Sequence, residues 1–384
     1  MKVVVAMDSF KGSASASEAC AAVHRGLAAT MPGAEICVLP MADGGEGTAD
    51  TLRTAYDGTW VETEVTGPLP GMRVRASWVW LPHAGPGALV ELAQASGIEL
   101  LRPDQLDPLS ATTLGTGELM AAALEKGARR LWLAVGGSAT VDGGTGAAHA
   151  LGWRFLDAAG AGVVLGGAGL EHIRRVAAPA RRSDAAAAVR VLCDVDNPLL
   201  GERGAARVFG PQKGATPETV ERLEAGLANL AEVIHRDVGK DVREIPGGGA
   251  AGGIAAGAIA FFDAELVPGI EAVMDATGLD EVLRGADWVI TGEGRFDEQS
   301  LGGKVFSGVA ARAARAGCRV AVLAGSLGMD VERARQVGVV AFETAAPRHL
   351  PLEEARLRGP QLIEAAAARL ALTLARGQAA DDCD

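Results

Sequence analysis

Five loops of the 384-residue chain, four of them bearing glycine, carry side chains that could do chemistry. They are DSFKGS (Asp8, Ser9, Lys11), MADGGEGT (Asp43, Glu46), GGSATVDGG (Gly136, Gly137, Ser138, Thr140, Asp142), CDVDNPL (Asp194, Asp196, Asn197) and TGEGRFD (Glu293, Arg295, Asp297). Glycine lets a backbone approach a ligand closely, hydroxyls and N–H groups bind phosphate oxygens, and Lys or Arg neutralises charge. Carboxylates beside a phosphate repel it unless one holds Mg2+ and another accepts a hydroxyl proton. That mixture suits phosphoryl transfer better than hydride transfer or acyl hydrolysis.

Each loop alone has a plainer reading. Asp43-Gly44 makes a turn, with Glu46 at the start of the helix that follows. Asp8 can cap a strand end, Lys11 can be solvated, Asp142 can cap a helix, Asp196-Asn197-Pro198 is a good turn, and Glu293, Arg295 and Asp297 can form a surface ion cluster. The weight comes from five such loops in one chain. Competing motifs fail: there is no GxxxxGK[ST], GxSxG or HExxH, and the six histidines are dispersed. Gly247-x-Gly249-x-x-Gly252 matches a dinucleotide fingerprint but follows Glu244-Ile245-Pro246 without a preceding strand, so a closely packed Gly/Ala helix is the better expectation.

The elements that must position these loops follow from periodicity. Lys2–Met7 is a continuous β-branched run, as in a strand buried on both faces. Ser15-x-x-Glu18 opens an Ala-rich helix to Thr30 as a capping box, and Glu35–Leu39 is the next strand. The first strand's carboxyl end therefore presents DSFKGS where open α/β sheets bind ligands. The same rhythm returns late: strand Trp288–Thr291, helix Lys304–Ala316, strand Arg319–Ala324, helix Val331–Gln336 and strand Val339–Phe342. A long helix from Pro351 to Arg376 then precedes a frayed acidic tail. In between, residues 60–95 alternate as β-type segments in antiparallel or mixed pairing. After them come a helix near Gly117–Lys126, strands Leu131–Val135 and Arg190–Cys193, a polar helix at Pro217–Asp237 and the Gly/Ala segment 247–262. The 180s read as the most linker-like stretch. The expected plan is an α/β protein: a discontinuous Rossmann-like domain (1–64 and 286–384) with a second α/β domain inserted (65–285), and the active site in the cleft between them.

Composition bounds the partners. Hydrophobic residues make up 48% and charged ones 22%, which excludes disorder as the dominant state. A net charge of −12 argues against nucleic acid or an anionic membrane as partner, leaving small molecules. Five scattered cysteines (Cys20, Cys37, Cys193, Cys318, Cys383) without a CxxC pair read as reduced thiols. The apolar run before Asp8 is too short for a signal peptide, and Ile245 to Phe262 is too rich in Gly and Ala to insert well in a bilayer. A soluble cytoplasmic protein is expected.

The loops also resemble a known family. DSFKGS, PMADGGEGT, the Thr112–Glu118 segment, GGSATVDGGTGAAHALG, CDVDNPLLGERGAARVFGPQKGA, PGGGAAGGIAAG and VITGEGRFDEQSLGGK are similar, in order and over essentially the whole chain, to those of the bacterial type I glycerate kinases. Two positions depart from the pattern: Val141 stands where a polar Asn is expected, and Thr112-Thr113 replaces a Thr-Ser pair. The resemblance implies two α/β domains and ATP- and Mg2+-dependent phosphorylation of D-glycerate to 2-phosphoglycerate, feeding glyoxylate and glucarate catabolism into glycolysis. Charge logic then suggests roles. Asp194 accepts or orients the glycerate hydroxyl proton, while Lys11 and Arg295 clamp the carboxylate or the transferring phosphoryl group. Asp8, Ser9 and Asn197 read the glycerate hydroxyls. Gly136, Gly137, Ser138, Thr140 and Lys213 meet the ATP phosphates, and Asp43, Glu46, Glu293 and Asp297 hold Mg2+ or stand behind it. With a single tyrosine, Tyr56, adenine is expected between aliphatic walls. A kinase for another small hydroxy acid, a dinucleotide-dependent oxidoreductase and a non-catalytic binding regulator are the alternatives.

Overall fold

The computed structural model describes residues 1–45, 47–180, 187–302, 305–347 and 350–381. Its contacts group the chain into two compact units, Met1–Ala55 with Ile270–Asp384, and Tyr56–Gly269. Both are α/β.

The first unit is built on five parallel strands. Lys2–Met7 lies between Glu35–Val38 and Trp288–Gly292, and Arg319–Ala324 and Val339–Thr344 continue the sheet beyond Trp288–Gly292. Numbered within the unit, the order is 2-1-3-4-5, a doubly wound arrangement whose switch point falls between the first strand and Trp288–Gly292. Val3 to Met7 are all fully buried, because side chains of both parities face protein. One face (Val3, Val5, Met7, Trp288, Ile290) packs on Ala16–Thr30 and on the closing helix Gly359–Asp381. The capping box is present: Ser15 Oγ accepts the Glu18 N–H, and Glu18 accepts the Ser15 N–H at 2.9 Å.

The second unit carries a six-stranded mixed sheet. Thr59–Thr66, Arg73–Leu81 and Gly87–Glu91 pair antiparallel, and Arg130–Ala134, Ala188–Leu192 and Glu265–Val267 continue from Gly87–Glu91 in parallel. Two loops rich in chemistry, after Ala134 and after Leu192, thus leave adjacent parallel strands at the same sheet edge. The Gly/Ala segment is the helix Ala250–Phe262, whose first turn is broken by positive φ at Ala251, Gly252 and Gly253. Among the described residues the element directly before it is the helix Pro217–Val238 and not a strand, so the dinucleotide context is missing.

Several expected limits move. The boundary at 64 falls inside Thr59–Thr66, which pairs along its whole length with Arg73–Leu81 and belongs to the second unit. The boundary at 285 also moves, to 269. Buried Arg312 ties the helices Gly269–Ala276 and Leu279–Leu283 to Val305–Ala316 through Glu271 (2.6 Å), Asp275 (2.7 Å) and Asp280 (3.1 Å). The long closing helix is two, Leu352–Leu357 and Gly359–Asp381, because Pro360 lacks the N–H a continuous helix needs and is tolerated in a first turn. The helix expected near Gly117 begins at Leu114. Lys304, Glu46, Cys383 and most of the linker-like 180s (181–186) lie outside the described residues; Cys20, Cys37, Cys193 and Cys318 are free thiols. No helix among the described residues is long and apolar enough to cross a membrane.

Gly26 sets how closely Ala16–Thr30 approaches the closing helix. A Cβ there would stand 2.3 Å from the Glu364 carbonyl oxygen and 2.8 Å from the Ala367 Cβ. Gly26→Val is expected to lower stability by about 1–3 kcal/mol, read as a lower urea midpoint, because backbone cannot yield as a side chain does. Gly33→Ala, with open space around the added methyl, should leave the midpoint within about 0.5 kcal/mol of the parent.

Candidate active site

In the first unit, a cavity of about 610 Å³ opens at the switch point. The sequence gives no contiguous sign of it. Its charged end comes from three loops: Asp8, Ser9 and Lys11 after the first strand, Asp43 after the second, and Glu293, Arg295 and Asp297 after Trp288–Gly292. Main-chain bonds hold these loops in place. The Asp8 N–H donates to the Gly292 carbonyl at 2.9 Å, continuing the strand ladder, and the Gly325 N–H donates to the Glu293 carbonyl at 3.0 Å. Arg295-Phe296 adds a short parallel pairing with Ser326-Leu327.

The acids at this end crowd one another. Burial pushes the Asp8 carboxyl up to about 7; Asp43 and Glu293 push the same way, against the Ser9 N–H (2.6 Å to Asp8 Oδ1) and Lys11. Asp43 accepts the Gly45 N–H at 3.1 Å, and Arg295 Nε pairs with Asp297 at 3.1 Å. Arg295 is 69% exposed, so that pair is weak and its guanidinium can turn to a ligand. Among the described residues no three metal-binding side chains already stand together as a cage. Mg2+ does not require one, since it binds through one or two carboxylates, water and substrate phosphates. Partly buried acids whose mutual repulsion a cation would relieve fit that ion, and Asp8, Asp43 and Glu293 are such a set.

The second unit holds the other expected residues. Gly136 and Gly137 are exposed at the turn after Arg130–Ala134, while Ser138 and Thr140 are buried beneath it. Lys213 is 2% exposed and donates to Ser138 Oγ (2.6 Å) and to the Thr140 carbonyl (2.7 Å). Desolvation brings its ammonium down to about 7, opposed by the charge of Asp142. Thr140 Oγ1 is buried with no hydrogen-bond partner among the described residues. Asp142 is a buried anchor: it accepts the Thr113 N–H and hydroxyl, both at 2.8 Å, and the Gly144 and Gly146 N–H groups at 3.0 and 3.2 Å. Burial nonetheless raises its pKa. Gly252 seats the Ala250–Phe262 helix on this loop, because a Cβ there would stand 2.0 Å from the Thr140 carbonyl oxygen. Val141 is fully buried against Trp153, Leu227 and Leu230, so apolar contact occupies the position where Asn was expected.

Asp194 lies two residues past Ala188–Leu192, exposed, and accepts the Gly269 N–H at 2.9 Å. Asn197 gives its amide N–H to the Arg203 carbonyl at 2.8 Å. The structure thus gathers Asp8, Ser9, Lys11, Asp43, Glu293, Arg295 and Asp297 around one cavity. It gathers Ser138, Thr140 and Lys213 in the second unit. The sequence reading missed the apolar wall of the cavity (Leu352, Ala355, Leu362, Ile363) and Arg356. These sit in helices near the chain end that carry no glycine loop and so gave no signal.

This is a loop-built site at the switch point of a doubly wound sheet, the place where proteins of that architecture bind ligands. The chain matches the Glycerate kinase family over residues 3–375. It is 43% identical to the glycerate kinase of Halalkalibacterium halodurans over 96% of this chain and 97% of the relative. It is also 43% identical to the glycerate 2-kinase of Escherichia coli over 98% and 99%. A crystal structure of a Salmonella typhimurium LT2 protein described as glycerate kinase 2 superposes with a TM-score of 0.89, at 44% identity over 98% of this chain and 99% of that one. The chain belongs to the glycerate kinase family and is a kinase.

Asp8 makes the site's electrostatics testable. An acid whose folded-state pKa (about 7) exceeds its ordinary 3.8 binds more protons folded than unfolded, so stability falls as pH rises between those values. Asp8→Asn removes that penalty. It should raise the melting temperature by a few degrees at pH 8 and by less at pH 5; an equal change at both would show that Asp8 titrates normally.

Proposed function

We propose that this kinase transfers the γ-phosphoryl group of ATP to D-glycerate in the cytoplasm, giving 2-phosphoglycerate and ADP and so passing carbon from glyoxylate and glucarate breakdown to glycolysis. The observation that carries the reading is the convergence of Lys11, Arg295 and the carboxylates of Asp8, Asp43 and Glu293 on one cavity, in a chain of this family. The E. coli relative's name, glycerate 2-kinase, supports the position of transfer.

In this reading Asp194 accepts the proton of the glycerate hydroxyl as its oxygen bonds to the γ-phosphorus and the bond to the ADP oxygen breaks. One of its carboxylate oxygens accepts the Gly269 N–H, which orients the group. Lys11 and Arg295 balance the charge of the carboxylate and of the phosphoryl group in transit, Arg through a two-point fork. Asp8, Ser9 and Asn197 hold the glycerate hydroxyls; Asn197 does so in part through a loop that its own amide fastens to Arg203. The Gly136–Thr140 turn, stiffened from below by Lys213, meets phosphate oxygens. Asp43, Glu46, Glu293 and Asp297 would hold Mg2+, which when bound offsets the polyphosphate charge and orients it.

A coupled assay of ADP release with ATP, Mg2+ and D-glycerate tests the reaction. Lys11→Ala or Arg295→Ala should lower kcat/KM by two or more orders of magnitude, about 3 kcal/mol or more, and Asp194→Asn should lower kcat most. Wild-type turnover of tartronate in preference to glycerate would replace the substrate, and near-normal turnover of the variants would remove the roles assigned to them.

A further inference from the structure

The cavity is larger than its charged end. Beyond Lys11 and Arg295 its wall is aliphatic, formed by Ala345 and Ala346 after the last strand and by Leu352, Ala355, Leu362 and Ile363 of the two closing helices. Leu352 is 66% exposed while lining it, a large apolar side chain left facing solvent. A three-carbon hydroxy acid is charged and small and needs none of this surface. A nucleoside needs it, since a purine presents two apolar faces and about 300–1,000 Å³ is the usual size of a site for a ligand of that class.

Where the aliphatic wall meets the charged end stands Arg356. Its Nε lies 3.5 Å from where a Gly12 Cβ would be, and its carbonyl accepts the Ser13 hydroxyl at 3.1 Å, so its helix is fastened to the DSFKGS loop. Among the described residues no carboxylate pairs with its guanidinium. Arg356, Lys11 and Arg295 therefore give one cavity three cations. Asp8, Asp43, Glu293 and Asp297 at the same end mean that a polyphosphate enters together with a divalent cation.

We propose that this cavity is the nucleotide site, with the purine against Leu352, Ala355 and Leu362 and with Arg356 reaching the phosphates. The proposal rests on the kinase reading above and adds where the nucleoside sits. It makes Arg356 a binding residue for phosphate, beside Lys11 and Arg295 of the same cavity.

Two variants and one binding measurement test it. Ala355→Phe, which fills the cavity, should raise the KM for ATP about tenfold or more while the KM for glycerate stays within about twofold. It should weaken calorimetric binding of Mg-ADP, measured without glycerate, to the same degree. Leu362→Ala, which enlarges the wall, should gain use of N6-benzyl-ATP that the wild type turns over poorly. Arg356→Ala should raise the KM for ATP more than the affinity for adenosine falls. Unchanged ATP and ADP parameters in Ala355→Phe, with no gain in Leu362→Ala, would overturn the site even if the wild type phosphorylates glycerate. ADP binding lost in Ala355→Phe, in a wild type that releases no ADP with glycerate, would instead uphold the site and overturn the reaction.

Discussion

The pairing of Lys2–Met7 with Trp288–Gly292 is the constraint on which the first unit depends. Val3 meets Trp288 and Met7 meets Gly292 across more than 280 residues of intervening chain, in parallel register. The Lys2 N–H adds a bond to Asp287 Oδ2 at 2.7 Å, and the Asp8 N–H closes the other end on the Gly292 carbonyl. Parallel alignment puts both carboxyl ends on one edge, so the Asp8–Lys11 loop and the Glu293–Asp297 loop must leave the sheet side by side. A one-residue slip would exchange the side chains of the two sheet faces and shift the two loops out of step. Gly292 permits Arg319–Ala324 to come close on the far side, since a Cβ there would overlap the Leu323 carbonyl.

Adjacency of that kind has an electrostatic consequence. Two acidic loops at neighbouring strand ends, with Asp43 from a third, hold carboxylates near one another; burial is the main reason the Asp8 carboxyl is raised, and Asp43 and Glu293 add to it. A folded chain keeps such repulsion only where something outweighs it, and catalytic or ion-binding use is the common reason. The second unit shows the opposite solution. There Asp142 and Lys213 are more deeply buried, yet their polar atoms are bonded to main-chain and hydroxyl groups that organise the Gly136–Gly146 turn. One set of charges organises a turn; the other lines a cavity.

Local patterns announced most elements of both units. The β-branched run at Lys2–Met7, the Ser15–Glu18 box, the strand Arg319–Ala324 and the helix Val331–Gln336 stand where their spacing put them. Misplaced limits had non-local causes. Thr59–Thr66 joined its neighbour because Arg73–Leu81 pairs with it, and the helices around Asp275 joined the later strands because Arg312 binds their acids. Proline at 360 was visible, but whether it kinks, ends or starts a helix depends on what the preceding turn packs against.

By itself the sequence determined which residue types are available for phosphoryl transfer, the α/β rhythm that carries them, and membership of the glycerate kinase family, because glycine loops, caps and buried strands are written in short contiguous runs. Only tertiary structure decided which of those loops share a cavity, that Lys213 lies beneath its loop instead of on it, and that Arg356 and an aliphatic wall from the chain's last helices complete the hollow around Lys11. Such relations join residues hundreds of positions apart through strand register and helix packing, and no local run of amino acids encodes a distance of that kind.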